Sequence, residues 1–394
     1  MEHILWCTGH DLKIKNANKA QGCFVYDQDG NCYLDLESGV WVTPLGHSNP
    51  RVNQAISDQV DKIIHCGYYN GSKIVDDAAR ELLKLTGIKN GKGVFLSSGS
   101  EAVEFGIKAI HKATGKNKLL RLHDSFLGSY GAAGEREKEA WHLLDWTDCQ
   151  VCLEKEMCAL DCPVLEDIPY SELGGFVFEP GSAGGLVKFP PHPFIDNLVS
   201  FFRKNGGLIL VNEVTTGIGR SGNWFGFQYY DFQPDLVAMG KGLGNGYPVS
   251  ATVMTGEVAK KLEEKSFYYQ QSHQNDPLGC RVVLEVIDII NEENLVNRSW
   301  EKGEYLRERL KDIFSRVDFV KEIRGRGLMI ALEFDGPGNR EAAYLHRELF
   351  NKGFIVSLRP GHNALRIDPP LNIEVKHLDS FLRELDEILE LYQD

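Results

Sequence analysis

The residues best equipped for chemistry lie between Leu208 and Pro248, LILVNEVTTGIGRSGNWFGFQYYDFQPDLVAMGKGLGNGYP. Leu208–Val211 follows Gly206-Gly207 and is short and wholly apolar, which suits a strand buried on both faces. Asn212 and Glu213 stand where that strand would end. A second run, Leu236–Met239, leads straight into Lys241, which is framed by Gly240 and Gly242. At the mouth of a parallel sheet, desolvation lowers the pKa of a lysine and lets its amine attack a carbonyl. A solvated loop lysine fits the same local pattern.

Three further stretches carry chemistry. Ser97, Ser98, Gly99 and Ser100 precede a helical pattern that begins at Glu101. Small residues at a helix N-terminus leave N–H groups facing the positive end of the helix dipole, which makes a phosphate seat. An N-cap with an acidic first turn uses the same residue types. Phe126 lies in the polar, glycine-rich loop HDSFLGSYGAAG, either as a small-core anchor or as a platform for a planar ring. Cys149, Cys152, Cys158 and Cys162 fall within fourteen residues as C-x2-C-x5-C-x3-C-P. Four thiolates in a tetrahedron hold zinc or an iron–sulfur cluster, although the spacing matches neither pattern well. Buried or redox-variable thiols are the other reading.

The elements that must position these residues alternate in type. Val94–Leu96, Leu119–Leu122, Phe176–Phe178, Leu208–Val211 and Leu236–Met239 read as strands. Helical spacing runs over Val52–Ile64, Ile74–Leu85, the stretch after Glu101, and Asp196–Lys204. That alternation predicts a doubly wound α/β domain with a mainly parallel sheet. Gly22–Leu36 alternates around Asp29-Gly30 as a hairpin, and Gly39–Pro50 reads as loop. After Ser272 the texture becomes α+β. Helices are expected over Arg281–Asn291, Trp300–Val317, Ala342–Lys352 and Val375–Tyr392. Strands are expected at Met329–Phe334, Phe354–Leu358 and Leu365–Ile367. The expected division is an N-terminal segment, 1–50, a large domain, 51–285, and a smaller C-terminal domain, 286–394, with which the N-terminal segment packs.

Composition narrows the function. The chain has 394 residues, 42% hydrophobic and 25% charged, with a net charge of −13. An acidic balance without a basic, aromatic-bearing stripe argues against nucleic-acid partners. No apolar run reaches the length of a membrane span and residues 1–10 lack a signal pattern, so a cytoplasmic, soluble protein is expected. Nine cysteines in a long chain argue against a disulfide framework.

The motif order resembles that of the class III aminotransferases, pyridoxal 5′-phosphate (PLP) enzymes of fold type I. The likeness runs through LGHSNP, SSGSEAVE, DSFLGS, VFEPGSAGG, VNEVTTGIGRSG, PDLVAMGKGLGNGYP, NDPLGC, IRGRGLMIALEF and LRIDPPL, nearly the whole chain. The resemblance implies a large PLP-binding domain with a mainly parallel sheet and a smaller α+β domain. It implies that Lys241 forms the Schiff base with the cofactor and shuttles the proton. Ser98, Gly99 and Ser100 match the phosphate-binding turn. Phe126 matches the stacking ring and Val214 the apolar residue on the ring's other face. Glu179 and Glu213 match acidic residues around the site, and Thr215 lies near the cofactor's 3′ oxygen. Ser272 matches a phosphate-binding threonine that reaches in from a second subunit, so a homodimer with shared sites is implied. Trp41 and Arg366 are the implied substrate-binding residues, the arginine for a carboxylate. The partners are an amino donor and an oxo-acid acceptor, with no nucleic acid and no membrane.

Several positions depart from the family pattern. Asn212 stands where the family has an aspartate that keeps the pyridine nitrogen protonated. A neutral amide offers only a hydrogen bond to a neutral ring nitrogen, a poorer electron sink. That departure keeps a PLP isomerase, a racemase or an aminomutase, open beside transamination. Ser129 replaces an arginine, Leu127 a histidine, Gly184 a glutamate, Val40 a tyrosine and Thr215 a glutamine. The first four together argue against ornithine or acetylornithine as the substrate and for a less polar amine or an ω-amino compound. The cysteine cluster occupies a segment that carries no metal in the family.

Overall fold

The computed structural model of the protein describes residues 3–9, 11–135, 139–149, 158, 162–182, 184, 186–359 and 361–393. Its centre is a seven-stranded sheet of order β4-β10-β9-β8-β7-β5-β6. The strands are β4 (Lys92–Leu96), β5 (Lys118–Leu122), β6 (Trp141–Leu144), β7 (Leu173–Phe178), β8 (Leu208–Asn212), β9 (Leu236–Met239) and β10 (Ser250–Met254). β7 to β10 are buried at every position. Helices cover both faces of such strands, so they read in sequence as apolar runs and not as alternation. β5 to β9 pair in parallel, whereas β10 is antiparallel to both β9 and β4. β4 therefore runs with the others, and the carboxyl ends of β4, β5, β7, β8 and β9 share one edge. In open α/β sheets that edge is where ligands bind.

Two smaller sheets flank it. One joins β1 (Ala17–Gln21), β2 (Phe24–Asp27) and β3 (Cys32–Asp35) to β13 (Phe354–Ile355). β2 and β3 form the hairpin expected around Asp29-Gly30, with Phe24 opposite Leu34. The other has the order β11-β12-β15-β14, made of β11 (Val320–Arg326), β12 (Met329–Phe334), β14 (Ser357–Leu358) and β15 (Ala364–Ile367). The single strand expected over Phe354–Leu358 is divided. Phe354 pairs in parallel with Leu34, while Ser357 pairs with Arg366 in the other sheet. Val356 lies between them, and its carbonyl accepts from Lys13 Nζ at 2.7 Å. A five-residue run thus serves two sheets, which its apolar content does not reveal.

The expected helices are present with shifted ends: Pro50–Val60, Lys73–Thr86, Gly99–Thr114, His192–Lys204, Pro277–Glu292, Leu295–Phe314, Arg340–Asn351 and Val375–Gln393. Three begin with proline in the first turn after Asn49, Pro191 or Asp276, where a missing N–H costs nothing. Among the described residues no helix is long and apolar enough to cross a membrane.

The loop expected over Gly39–Pro50 begins with a left-handed turn. Ser38, Gly39, Val40 and Trp41 have φ of 51°, 55°, 64° and 65°. Left-handed backbone costs about 1–2 kcal/mol for each non-glycine residue. The turn is held by Gly39 N–H donating to Asp35 Oδ2 at 2.9 Å and by the Ser38 hydroxyl donating to the Asp368 carbonyl. Arg220, fully buried, donates to Ser38 Oγ at 3.2 Å and to the carbonyls of Leu328 and Pro369.

Candidate active site

Lys241 follows β9 at the shared carboxyl edge and is itself left-handed, with φ 45°. Strain of this kind persists only where the surroundings over-determine it, and it clusters at functional sites. Gly240 explains the glycine frame. A Cβ there would lie 3.0 Å from Gly99 Cα, so only glycine lets the end of β9 touch the N-terminus of the Gly99–Thr114 helix. Lys241 retains some accessible surface, yet burial by the surrounding protein pushes its pKa down from 10.5 to about 8. The charge of Glu179 works against that shift and the charge of Arg366 with it.

The helix N-terminus is prepared for an anion. Ser98 and Glu101 form a capping box: Glu101 N–H donates to Ser98 Oγ at 3.3 Å, and Glu101 Oε2 accepts from the N–H groups of Ser97 and Ser98. The cap consumes those three donors. The N–H groups of Gly99 and Ser100 have no hydrogen-bond partner among the described residues. Both readings of this stretch therefore hold at once, a cap and a seat. Ser100 Oγ accepts from Ser129 N–H at 3.1 Å.

Beside the seat, Asn212 ties Phe126 to Val214, and the place between these two residues is termed the slot. Phe126, after β5, exposes 43% of its surface. Its N–H donates to Glu179 Oε2 at 2.8 Å, and its carbonyl accepts from Asn212 Nδ2 at 3.0 Å. Asn212 Oδ1 in turn accepts from Val214 N–H at 3.1 Å. Val214 leans on the helix N-terminus, since a Cβ on Gly99 would meet Val214 Cγ1 at 2.6 Å. Thr215 is buried and donates to Glu179 Oε1 at 3.5 Å. Gly184 closes the loop: a Cβ there would lie 3.1 Å from Phe126 Cβ. Glu213 is turned away from the slot. Its carboxylate accepts from Thr216 Oγ1, Gly226 N–H and Phe227 N–H, and burial still pushes its pKa up to about 7.

Trp41 and Arg366 meet at Lys241. Lys241 Nζ lies 4.8 Å from the centroid of the Trp41 ring, and the Arg366 guanidinium carbon lies 4.1 Å from it. The strained turn delivers Trp41 to this place, where it packs with Val187, Met329 and Ala331. Arg366 is buried on β15, donates to Ser357 Oγ at 3.4 Å and lies 3.9 Å from Asp368. Burial pushes the Asp368 carboxyl up to about 6 against the pull of Arg366 and Arg220. Asp368 and Arg220 lie within the motifs LRIDPPL and VNEVTTGIGRSG, where nothing in their own residue types marks a role. Asn245 has a sequence signal only in hindsight: it fixes the N-terminal segment to the lysine loop through Leu45 N–H at 2.9 Å and the Gly46 carbonyl at 3.1 Å.

Two sets of expected residues do not join this group. Ser272 is exposed in a turn and makes no hydrogen bond among the described residues. Cys152 lies outside the described residues, Cys149 is buried, and Cys158 and Cys162 are half-buried. Among the described residues, the groups whose ligand atoms converge within 4.8 Å are His65, His273, Asp276 and His192, Asp196, Asp231. Neither contains a cysteine. A cavity of about 1180 Å³ also lies away from Lys241, between the stretches 66–72 and 268–270.

The family described as Aminotransferase class-III matches residues 8–389. The chain belongs to the class III aminotransferases. An acetylornithine aminotransferase of Methanopyrus kandleri is 32% identical over 383 residues, 94% of this chain and 92% of that protein. A leucine/methionine racemase of Thermococcus litoralis is 30% identical over 403 residues, 95% of this chain and 90% of that protein. A solved Bacillus anthracis aminotransferase superposes with a TM-score of 0.90 at 25% identity, covering 99% of this chain and 96% of that one. This class III aminotransferase is therefore a PLP-dependent enzyme of fold type I. Its residues fit the cofactor. The unassigned N–H groups of Gly99 and Ser100 suit a phosphate, the Phe126–Val214 slot suits a flat ring, and the depressed pKa of Lys241 suits an attacking amine.

Proposed function

We propose that this enzyme moves an amino group from an amine or amino acid, ω-amino compounds included, to an oxo acid, with Lys241 as its catalytic residue. The observation that carries the reading is the position of Lys241: strained, partly buried with a lowered pKa, next in the chain to Gly240, which abuts Gly99, and beside the Trp41 ring on which Arg366 also lies. PLP supplies the electron sink that lets a C–H bond beside the amino group break. The chain supplies the rest. Gly99 and Ser100 would hold the phosphate, Phe126 and Val214 would confine the ring, and Glu179 holds the Phe126 backbone. The Lys241 amine would hold the cofactor covalently and would take and return the proton. Arg366, held over the Trp41 ring, would bind a substrate carboxylate.

The substrate differs from that of the acetylornithine relatives. Ser129, Leu127, Gly184 and Val40 replace polar or charged groups, which favours a less polar donor. Ser272, exposed on its turn, fits a residue that completes the site of a second copy. Tyr68, Tyr69 and Tyr268, exposed by 50%, 97% and 78% around the large cavity, fit the surface on which that copy would sit.

A second reading, an amino-acid racemase or aminomutase, rests on Asn212 and on the likeness to a racemase. A panel of amines, ω-amino acids and α-amino acids decides between them. Transamination predicts that a donor converts the bound cofactor to its amine form and that an oxo acid restores it. Inversion of a chiral amino acid with no amino group lost would overturn the leading reading. Lys241→Ala should abolish either activity.

A further inference from the structure

Asn212 is more than an uncharged stand-in for aspartate, because its orientation is fixed. Nδ2 faces the Phe126 carbonyl at 3.0 Å and Oδ1 faces the Val214 N–H at 3.1 Å. Turning the amide over would set oxygen against oxygen and N–H against N–H, so the backbone dictates the assignment. One Nδ2 hydrogen goes to Phe126. The second has no partner among the described residues, and it is the one side-chain donor Asn212 has left for a ligand, beside the remaining lone pair of Oδ1.

The loop around Phe126 is built for this donor. Phe126 N–H is held by Glu179, the Ser125 carbonyl by Arg121, and Ser129 N–H by Ser100. A Cβ on Gly184 would press on Phe126. A carboxylate at position 212 would place an oxygen about 3 Å from the Phe126 carbonyl with no hydrogen between them, and the loop has little room to withdraw.

We infer that this site is built to hold a PLP ring nitrogen that is unprotonated and accepts a hydrogen bond from Asn212. The inference rests on the cofactor reading of the slot. An unprotonated pyridine withdraws electrons less strongly, so more of the barrier falls on the proton transfer by Lys241. Asn212 is a positioning residue for Phe126 and sets the protonation state of the ring.

Two measurements test it. The first binds PLP labelled with nitrogen-15 in the ring to the wild-type enzyme and records its resonance from pH 6 to 8.5. The expected signal is that of an unprotonated pyridine, unchanged across the range. A protonated signal on bound cofactor overturns this inference alone. Failure of the wild-type protein to bind PLP overturns the cofactor reading, and this inference with it. The second measurement compares thermal unfolding of cofactor-free wild-type and Asn212→Asp proteins at pH 5 and pH 8. A carboxyl facing a carbonyl has a folded pKa above its unfolded value. Its protonated form can donate to Phe126, and stability falls as pH rises through the folded pKa. The ionisable groups nearest the slot are Glu179, Lys241, Arg121 on the Ser125 carbonyl and Glu213, which is turned away behind Asn212, and the wild-type comparison subtracts their titration. The variant should unfold near the wild-type temperature at pH 5 and several degrees below it at pH 8. An equal difference at both pH values overturns the claim that the loop requires a donor.

Discussion

Burial lowers the Lys241 pKa from 10.5 to about 8, and this shift sets how fast the cofactor-free enzyme captures an aldehyde. Only the neutral amine attacks. At pH 7 a lysine of pKa about 8 is roughly one-tenth neutral, while an unperturbed one is neutral in roughly three parts in ten thousand, a gain of roughly 300-fold. The assay mixes cofactor-free enzyme with pyridoxal, which lacks the phosphate, and follows absorbance from pH 6 to 10. The rate should climb tenfold per unit at low pH and flatten near pH 8. Glu179 opposes the shift, so Glu179→Gln should move the bend to lower pH; Arg366 assists it, so Arg366→Met should move the bend upward. The sign for stability follows from the same numbers. Between about 8 and 10.5 the unfolded chain binds the proton that the folded chain has lost, so stability rises with pH over that window, and Lys241→Met should flatten the rise. A capture rate still climbing tenfold per unit above pH 9.5 would refute the claim that burial activates this amine.

Gly99→Ala should weaken PLP binding at least tenfold, because the new methyl meets Val214 Cγ1 at 2.6 Å and Cγ2 at 2.9 Å where the phosphate seat adjoins the slot; a fluorescence titration checks it, and wild-type affinity would show that the seat lies elsewhere. Arg366→Lys should raise KM tenfold or more for donors that carry a carboxylate and leave donors without one nearly unchanged, since an ammonium cannot make the guanidinium's paired bonds. Equal effects on both classes in steady-state assays would assign Arg366 to packing against Trp41.

The central sheet was legible because its strands are buried on both faces. Leu236–Met239 and Met329–Phe334 appear with the ends their apolar runs predict. Strand β10 was not singled out, although it is equally buried. SATVM mixes small and hydroxyl residues, and Thr252 spends its hydroxyl on the Ala102 carbonyl at 2.7 Å. The division of Phe354–Leu358 between two sheets is a tertiary choice that five apolar-leaning residues cannot encode alone. At the site, motif and glycine context marked Lys241, Gly99 and Phe126. The left-handed turn at Ser38–Trp41 left no trace beyond Gly39, because Asp35, Arg220 and Asp368 impose it from distant parts of the chain.

Three departures that look independent in sequence converge on one loop. Gly184 removes a side chain that would strike Phe126, Ser129 leaves its N–H to Ser100, and Asn212 donates to the Phe126 carbonyl. If Asn212 were an isolated loss of the acidic partner, the loop would have no reason to present a carbonyl to it. The carbonyl is there, on a residue whose N–H is held by Glu179. A site whose walls are matched to a neutral amide has adapted around that amide, and restoring aspartate alone would set a charge against a wall shaped to reject it. Recovery of an acidic partner should therefore need a change in the Phe126 loop as well, and the two substitutions together should be less damaging than their separate effects sum to.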